Sequence, residues 1–263
     1  AQANQQLTSA GITSAKLDSE LLASFVLSRP RTWLHAHLEH EITDAEQKQL
    51  VSLLSRRLHH EPIAYIVCSK EFFGRDFAVN SSVLVPRPES EAMIEILKSI
   101  TQKGLSFIDI GTGSGILAIT TALEQPSWSG TATDISPEAL KVAEQNAKKL
   151  ETKNLVFKVQ SLLANDTEKY DVVIANLPYV PKSLRSKPDI AHEPAIALFA
   201  DNNGLAIYEE FFSQITTRKH KPTHILTESL IDQHKALEKI ASDAGFSLIE
   251  TKGLSQHFCV FVR

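Results

Sequence analysis

The sequence predicts an α/β fold: a doubly wound parallel sheet with an antiparallel hairpin at its C-terminal edge, preceded by a small helical N-terminal domain. Three observations predict it. From Lys103 onward short β-prone segments alternate with helix-type stretches, the pattern of a sheet covered by crossover helices. The run Gly111-Thr112-Gly113-Ser114-Gly115 follows one such segment directly, as in Rossmann-like sheets, where a tight turn feeds a helix start. The first sixty or so residues instead carry apolar side chains at helical spacing, so they read as a separate bundle.

The elements follow in order. Leu17, Leu21, Leu22, Phe25 and Val26 mark a first helix, which Pro30 ends. A second begins at Thr43-Asp44-Ala45-Glu46, where Thr43 and Glu46 fit a capping box, and runs through Leu50, Leu53, Leu54 and Leu58. Between Pro62 and Pro88 lie the β-prone pieces Ala64–Val67, Glu71–Phe73 and Phe77–Val79, broken by Gly74 and Asn80. A helix is expected over 89–100. Strands are expected at 106–110, 130–134, 155–160, 171–175 and 223–228, with helices near 115–124, 137–150, 204–217 and 231–244. The last two strands, 246–251 and 256–262, are too close for a crossover helix and should pair antiparallel. The expected domains are therefore 1–60, helical; 61–88, a hairpin connector; and 89–263, the sheet.

Bulk properties narrow the function classes. The 263 residues suffice for a large core, and a net charge of −4 gives no long-range attraction to nucleic acid or anionic membrane. No apolar run approaches the ~20 residues that span a bilayer, and the opening AQANQQLTSAG lacks the pattern of a secretory signal. A cytoplasmic protein is expected. Cys68 and Cys259 read as reduced thiols, and the ten His residues show no metal-ligand spacing.

The glycine loop suggests a ligand. Glycine suits positions where the backbone takes positive φ or must approach a bound group without a Cβ between them. Asp134, at the end of the next strand, can accept hydrogen bonds from ribose hydroxyls. A nicotinamide dinucleotide competes, but its fingerprint spaces the last glycine one residue further than this G-x-G-x-G. Asp109, just before the loop, suits a cofactor with a cationic amino-acid tail. The balance favours S-adenosylmethionine, with Asp109, Gly111, Thr112, Gly113, Gly115, Asp134, Ile135 and Asn176 as candidate cofactor residues.

Asn176-Leu177-Pro178-Tyr179 closes the fourth strand, at the carboxyl end where such sheets bind ligands. The side-chain oxygen of Asn176 and the carbonyl of Leu177 can each accept one N–H of a planar amide or amine. Pro178 biases Leu177 away from the helical region, and Tyr179 offers an apolar plane to a flat acceptor. These four are the candidate catalytic residues.

With these motifs the chain resembles the HemK/PrmC family, the release-factor glutamine methyltransferases, over nearly its whole length. The resemblance is carried further by Glu61–Ile66, Lys70–Gly74, Val83–Glu91 and His192–Leu198. It implies Asn176 and Tyr179 at the acceptor amide and Gly111, Gly113 and Asp134 at the cofactor, with Ser161 at the position near the adenine. It also implies Arg87, Glu89 and Glu193 on the substrate side, although a surface ion pair of Arg87 with Glu89 is the plainer reading of those two. The implied reaction is S-adenosylmethionine-dependent methylation of the glutamine amide in the Gly-Gly-Gln loop of peptide chain release factors, without stable nucleic-acid or membrane binding. The chain departs from the family pattern at Leu177, where a first proline is usual. It departs also at Ser161 and Leu162, where an acidic residue and an aromatic often stand, at Cys68, and around Leu254 to His257. Three alternatives stay open: an exocyclic-amine methyltransferase acting on nucleobases, a glutamine methyltransferase of a ribosomal protein, and a binding module without catalysis.

Overall fold

A computed structural model describes residues 2–184, 190–252 and 256–262. The chain forms two compact units, one made chiefly of the residues up to Ser69 and the other of the chain from Lys70 onward.

The smaller unit contains helices α1 (Gln2–Ser9), α2 (Ala15–Leu27), α3 (Arg31–Ala36), α4 (Asp44–Leu58) and α5 (Ile63–Ile66). Leu7, Ile12, Ala15, Leu22, Leu54 and Ile66 close its core. The capping box on α4 is formed: Glu46 N donates to Thr43 Oγ1 at 3.3 Å and Thr43 N to Glu46 Oε2 at 2.7 Å. Buried Asp18 of α2 accepts from Arg57 Nε of α4 at 2.7 Å and from Ser14 Oγ at 2.8 Å. The β-prone reading of Ala64–Val67 is corrected here, because Ile63–Ile66 is a helical turn capped by Val67. Pro62 sets φ −54 at its start, and burial of Ala64, Tyr65 and Ile66 outweighs their strand preference.

The larger unit opens with β1 (Ser69–Phe72) and β2 (Arg75–Ala78), which pair as a two-stranded ribbon. The expected helix over 89–100 is a 3-10 turn, Pro88–Ser90, continuing into α6 (Glu91–Ser99). Then come β3 (Ser106–Ile110), α7 (Ile116–Glu124), β4 (Ser129–Asp134), α8 (Pro137–Lys149), β5 (Leu155–Val159) and β6 (Val172–Ala175). After the short pieces β7 (Val180–Pro181), α9 (Ala195–Leu198) and β8 (Phe199–Ala200) follow α10 (Ala206–Thr217), β9 (His224–Leu230), α11 (His234–Asp243), β10 (Ser247–Lys252) and β11 (Gln256–Val262).

Among the described residues, seven strands form one sheet in the order β10-β11-β9-β6-β3-β4-β5. The pairs β5–β4, β4–β3, β3–β6 and β6–β9 are parallel, while β9–β11 and β11–β10 are antiparallel. Alternate side chains feed two cores. Phe107 of β3 joins Met93, Leu117 and Trp128 in one, while Ile108 and Ile110 join Tyr208, Phe211 and Phe261 in the other. Strand order reverses between β3 and β6, so the crevice that such sheets use for ligands opens at the carboxyl ends of these two strands. Among the described residues no helix is long and apolar enough to cross a membrane.

Candidate active site

Both sequence motifs sit at that crevice. The glycine loop leaves β3 with Gly111 at φ +72 and Gly113 at φ +55. The N–H groups of Gly111 and Thr112 both donate to Thr133 O of β4 at 2.8 Å, which moors the loop to the neighbouring strand. A Cβ added at Gly113 would meet nothing within 4 Å, so its open side faces free space. Gly115 has a different reason to be glycine: a Cβ there would lie 2.7 Å from Ile119 Cδ1 and 3.1 Å from Ala143 Cβ. Its bareness lets α7 and α8 approach. Buried Asn146 of α8 secures the arrangement, donating to Ser114 O at 2.8 Å and to Ala78 O at 3.0 Å.

Asp134 ends β4 with both carboxylate oxygens engaged by main chain, Oδ2 accepting from Gly113 N and Oδ1 from Ser136 N, each at 2.9 Å. Burial nevertheless raises its pKa above the ordinary value. Asp109 lies deeper. Its Oδ2 accepts from Thr112 Oγ1 at 2.6 Å and from Ala118 N at 3.1 Å, and burial, with a smaller push from Asp134, lifts its pKa to about 7.

The turn after β6 is held from behind by Glu228 of β9, whose side chain is fully buried. Glu228 Oε2 accepts from Asn176 Nδ2 at 2.8 Å and from Ser90 Oγ at 2.7 Å, and Oε1 accepts from Tyr179 Oη at 2.7 Å. Tyr208 Oη lies 2.9 Å from Ala175 O and 2.6 Å from the main-chain oxygen of Glu228, bracing β6 against β9. Burial raises the Glu228 pKa against the lowering effect of its donors, and burial beside Glu228 raises that of Tyr179.

A cavity of about 350 Å³ occupies the crevice. Gly111, Gly113, Asp134, Ile135 and Ser161 line one part, and Asn176, Leu177 and Pro178 another. Asp109, Thr112, Gly115, Tyr179, Arg87, Glu89 and Glu193 are not on its walls. Several of these support the walls. Glu193, 6% exposed, accepts from Val85 N at 2.9 Å and from Arg87 Nη2 at 2.5 Å, which holds the segment whose residues Ser82, Val83 and Leu84 close the cavity. Arg87 therefore pairs with Glu193, and the surface pair with Glu89 is not formed. Tyr179 turns its hydroxyl to Glu228.

Sequence reasoning missed Glu228, Ser90, Gln160 and Glu210, the last two being wall residues. The available signal for Glu228 was a carboxylate at the end of a segment already read as a strand of the sheet.

The residues present fit an adenosyl cofactor. A glycine whose open side faces the cavity gives a flat group close backbone approach, and Asp134 presents a carboxylate on the same wall. The apolar walls suit a cofactor whose surface is largely carbon.

Comparison with known proteins follows the same division. Residues 1–67 match the family model described as the PrmC N-terminal domain, and residues 88–179 match that of ribosomal protein L11 methyltransferase (PrmA). A release factor glutamine methyltransferase of Coxiella burnetii is 37% identical over 92% of this chain and 88% of its own length. One of Koribacter versatilis is 38% identical over 80% of this chain and 78% of its own. A bifunctional methyltransferase of Rickettsia conorii is 31% identical over 94% of this chain, which spans only 53% of that longer protein. Two solved structures share the fold. They are a ribosomal protein L11 methylase of Lactobacillus delbrueckii (TM-score 0.55, 20% identity, 70% of this chain and 83% of that one) and a methyltransferase of Pyrococcus furiosus (TM-score 0.54, 19% identity, 79% and 96%).

Proposed function

The chain belongs to the release factor glutamine methyltransferase family, and we propose that it transfers a methyl group from S-adenosylmethionine to the glutamine side-chain amide in the Gly-Gly-Gln loop of peptide chain release factors. The observation that carries the reading is the state of Asn176. Its Nδ2 is committed to Glu228 behind the turn, while the residue itself lines the cavity. The end left for a ligand is the oxygen, a hydrogen-bond acceptor. An acceptor is what an amide N–H requires.

S-adenosylmethionine supplies an electrophilic methyl on a sulfonium when bound. The chain contributes position. Gly113 admits the cofactor against the backbone and Asp134 accepts from its ribose hydroxyls. Ile135 packs its exposed apolar side chain beside them, and Ser161 faces the same space. Asn176 Oδ1 and the Leu177 carbonyl take the two N–H groups of the glutamine amide, fixing its nitrogen toward the methyl. Leu177 in place of a proline keeps that carbonyl. In-line positioning of this kind is worth roughly 7–11 kcal/mol. The helical unit grips the body of the factor, and the work is done in the cytoplasm, where translation terminates.

The match to ribosomal protein L11 methyltransferase over 88–179 favours one second reading, a ribosomal-protein acceptor. Incubation with labelled S-adenosylmethionine and separate release-factor, ribosomal-protein and nucleic-acid pools decides among the acceptors. A single methyl on the glutamine of the Gly-Gly-Gln loop by peptide mass spectrometry, lost when that glutamine is Ala, is the expected result. Label on ribosomal protein or nucleic acid with an unmodified release factor rejects the acceptor proposed here.

A further inference from the structure

We propose that Glu228 is the positioning residue of the acceptor site, its carboxylate deciding which end of the Asn176 side chain faces the cavity. The inference rests on the reading of Asn176 as the group that receives the substrate amide.

The two ends of an asparagine amide have nearly the same shape and opposite hydrogen-bonding character. If Asn176 turned over, its N–H groups would face the cavity and repel the N–H groups of an incoming amide. Something must hold it one way. Glu228 does so by donor and acceptor accounting alone. Ser90 Oγ, Tyr179 Oη and Asn176 Nδ2 all converge on this one carboxylate at 2.7–2.8 Å. While Glu228 is ionised its carboxylate can only accept. With Asn176 turned over, Oδ1 would face Oε2 at hydrogen-bonding distance with no proton between them.

The placement follows from the sheet. Ala175 of β6 is in register with Thr227 of β9, so the next residues, Asn176 and Glu228, emerge side by side. Tyr208 fixes the main chain at this point, through Ala175 O and Glu228 O. Glu228 has no exposed surface and is not on the cavity wall, so it acts through Asn176 and Tyr179. Both ends of the Asn176–Tyr179 turn thus hang on one carboxylate. A buried carboxylate is a costly way to stiffen a strand that an apolar side chain would pack more favourably. Orientation is what it provides.

Two variants test this. In Glu228→Gln, Oε1 can still accept from Tyr179, but Nε2 faces Asn176 and favours the turned-over amide. Wild-type S-adenosylmethionine affinity and near-native melting are expected, with kcat for release-factor methylation lower by about 100-fold or more. Adding Asn176→Asp gives a carboxylate that accepts with one oxygen from the new amide at position 228 and offers the other to the cavity. The double variant should therefore recover at least about tenfold over Glu228→Gln, a coupling that a merely structural role does not produce. Activity of Glu228→Gln within about threefold of wild type overturns the proposal, as does a double variant no better than the single one.

A third measurement is independent of both folding of the variants and identity of the acceptor. The side-chain amide protons of Asn176 in the wild type, assigned by their absence in Asn176→Asp or by sequential assignment, should exchange slowly with solvent. Fast exchange overturns the proposal. A wild-type protein that methylates no release factor rejects the functional reading alone, and slow or fast exchange still decides the orientation.

Discussion

Asp109 has almost no surface in contact with solvent, and its folded pKa of about 7 stands above the ordinary 3.8. The fold therefore prefers the protonated acid. Its contribution to stability is complete below about pH 4 and is lost as the pH rises through about 7. Melting temperatures of wild type and Asp109→Asn should diverge over that window, the wild type losing stability with rising pH relative to the variant, whose amide oxygen can still accept from Thr112 and Ala118. A constant difference between pH 5 and 8 contradicts this. At the cavity, Gly113→Val should abolish S-adenosylmethionine binding, since its side chain enters the free space now open beside Gly113. Asp134→Ala should weaken binding by roughly 1.5–3 kcal/mol by calorimetry, the scale of a hydrogen bond to a charged group. Unchanged affinity in both variants argues against an adenosyl site. Of the cavity-lining residues, Gly111, Gly113, Asn176 and Leu177 were readable in the sequence because each stands within a short contiguous motif, and Asp134 because it ends the strand that follows the glycine loop. Glu228 was not, because its meaning depends on the pairing of β6 with β9 across more than fifty residues of chain. Sequence adjacency also suggested Asp109 as a cofactor contact, whereas its partners are Thr112 and Ala118 and it lies off the cavity wall.

Elements with a buried stripe were legible; α4, which buries only Leu54, and β5, which buries no residue, were legible instead from a capping box and from β-prone composition. The strands of the sheet lie within one or two residues of their expected bounds; β3 and β6 are buried almost throughout, as central parallel strands are. Helix α1 buries only Leu7 and α3 buries no residue, so neither left a periodic apolar trace to read. In α5 the local β preference of Ile, Tyr and Ile pointed the wrong way. Two predictions belong to this scale. Asp18→Ala leaves Arg57 largely buried without its partner, and the helical unit should lose about 3 kcal/mol in denaturant titration. A loss under 0.5 kcal/mol would mean that solvent already screens the pair. Gly115→Ala should destabilise by about 1–3 kcal/mol, through the positive φ and the crowding of Ile119 and Ala143. A neutral effect would mean that α7 and α8 can separate without loss.

For the whole molecule, the two-unit division predicts separable duties. A protein lacking residues 1–68, once circular dichroism shows it folded, should bind S-adenosylmethionine like the full chain while methylating intact release factor far more slowly. Equal rates would remove the helical unit from substrate recognition. The order of the large sheet has its own consequence for biosynthesis. Strand β11 pairs with β9 along His224–Leu230, inserted between β9 and β10, yet it follows every other strand of the sheet in the chain. A nascent polypeptide leaving the ribosome must hold an open seam beside the strand that bears Glu228 until those residues emerge. An unpaired edge of that kind invites association with other chains. A released chain ending just before Gln256 should therefore be a product that chaperones retain, and restoring the segment 256–262 should free it.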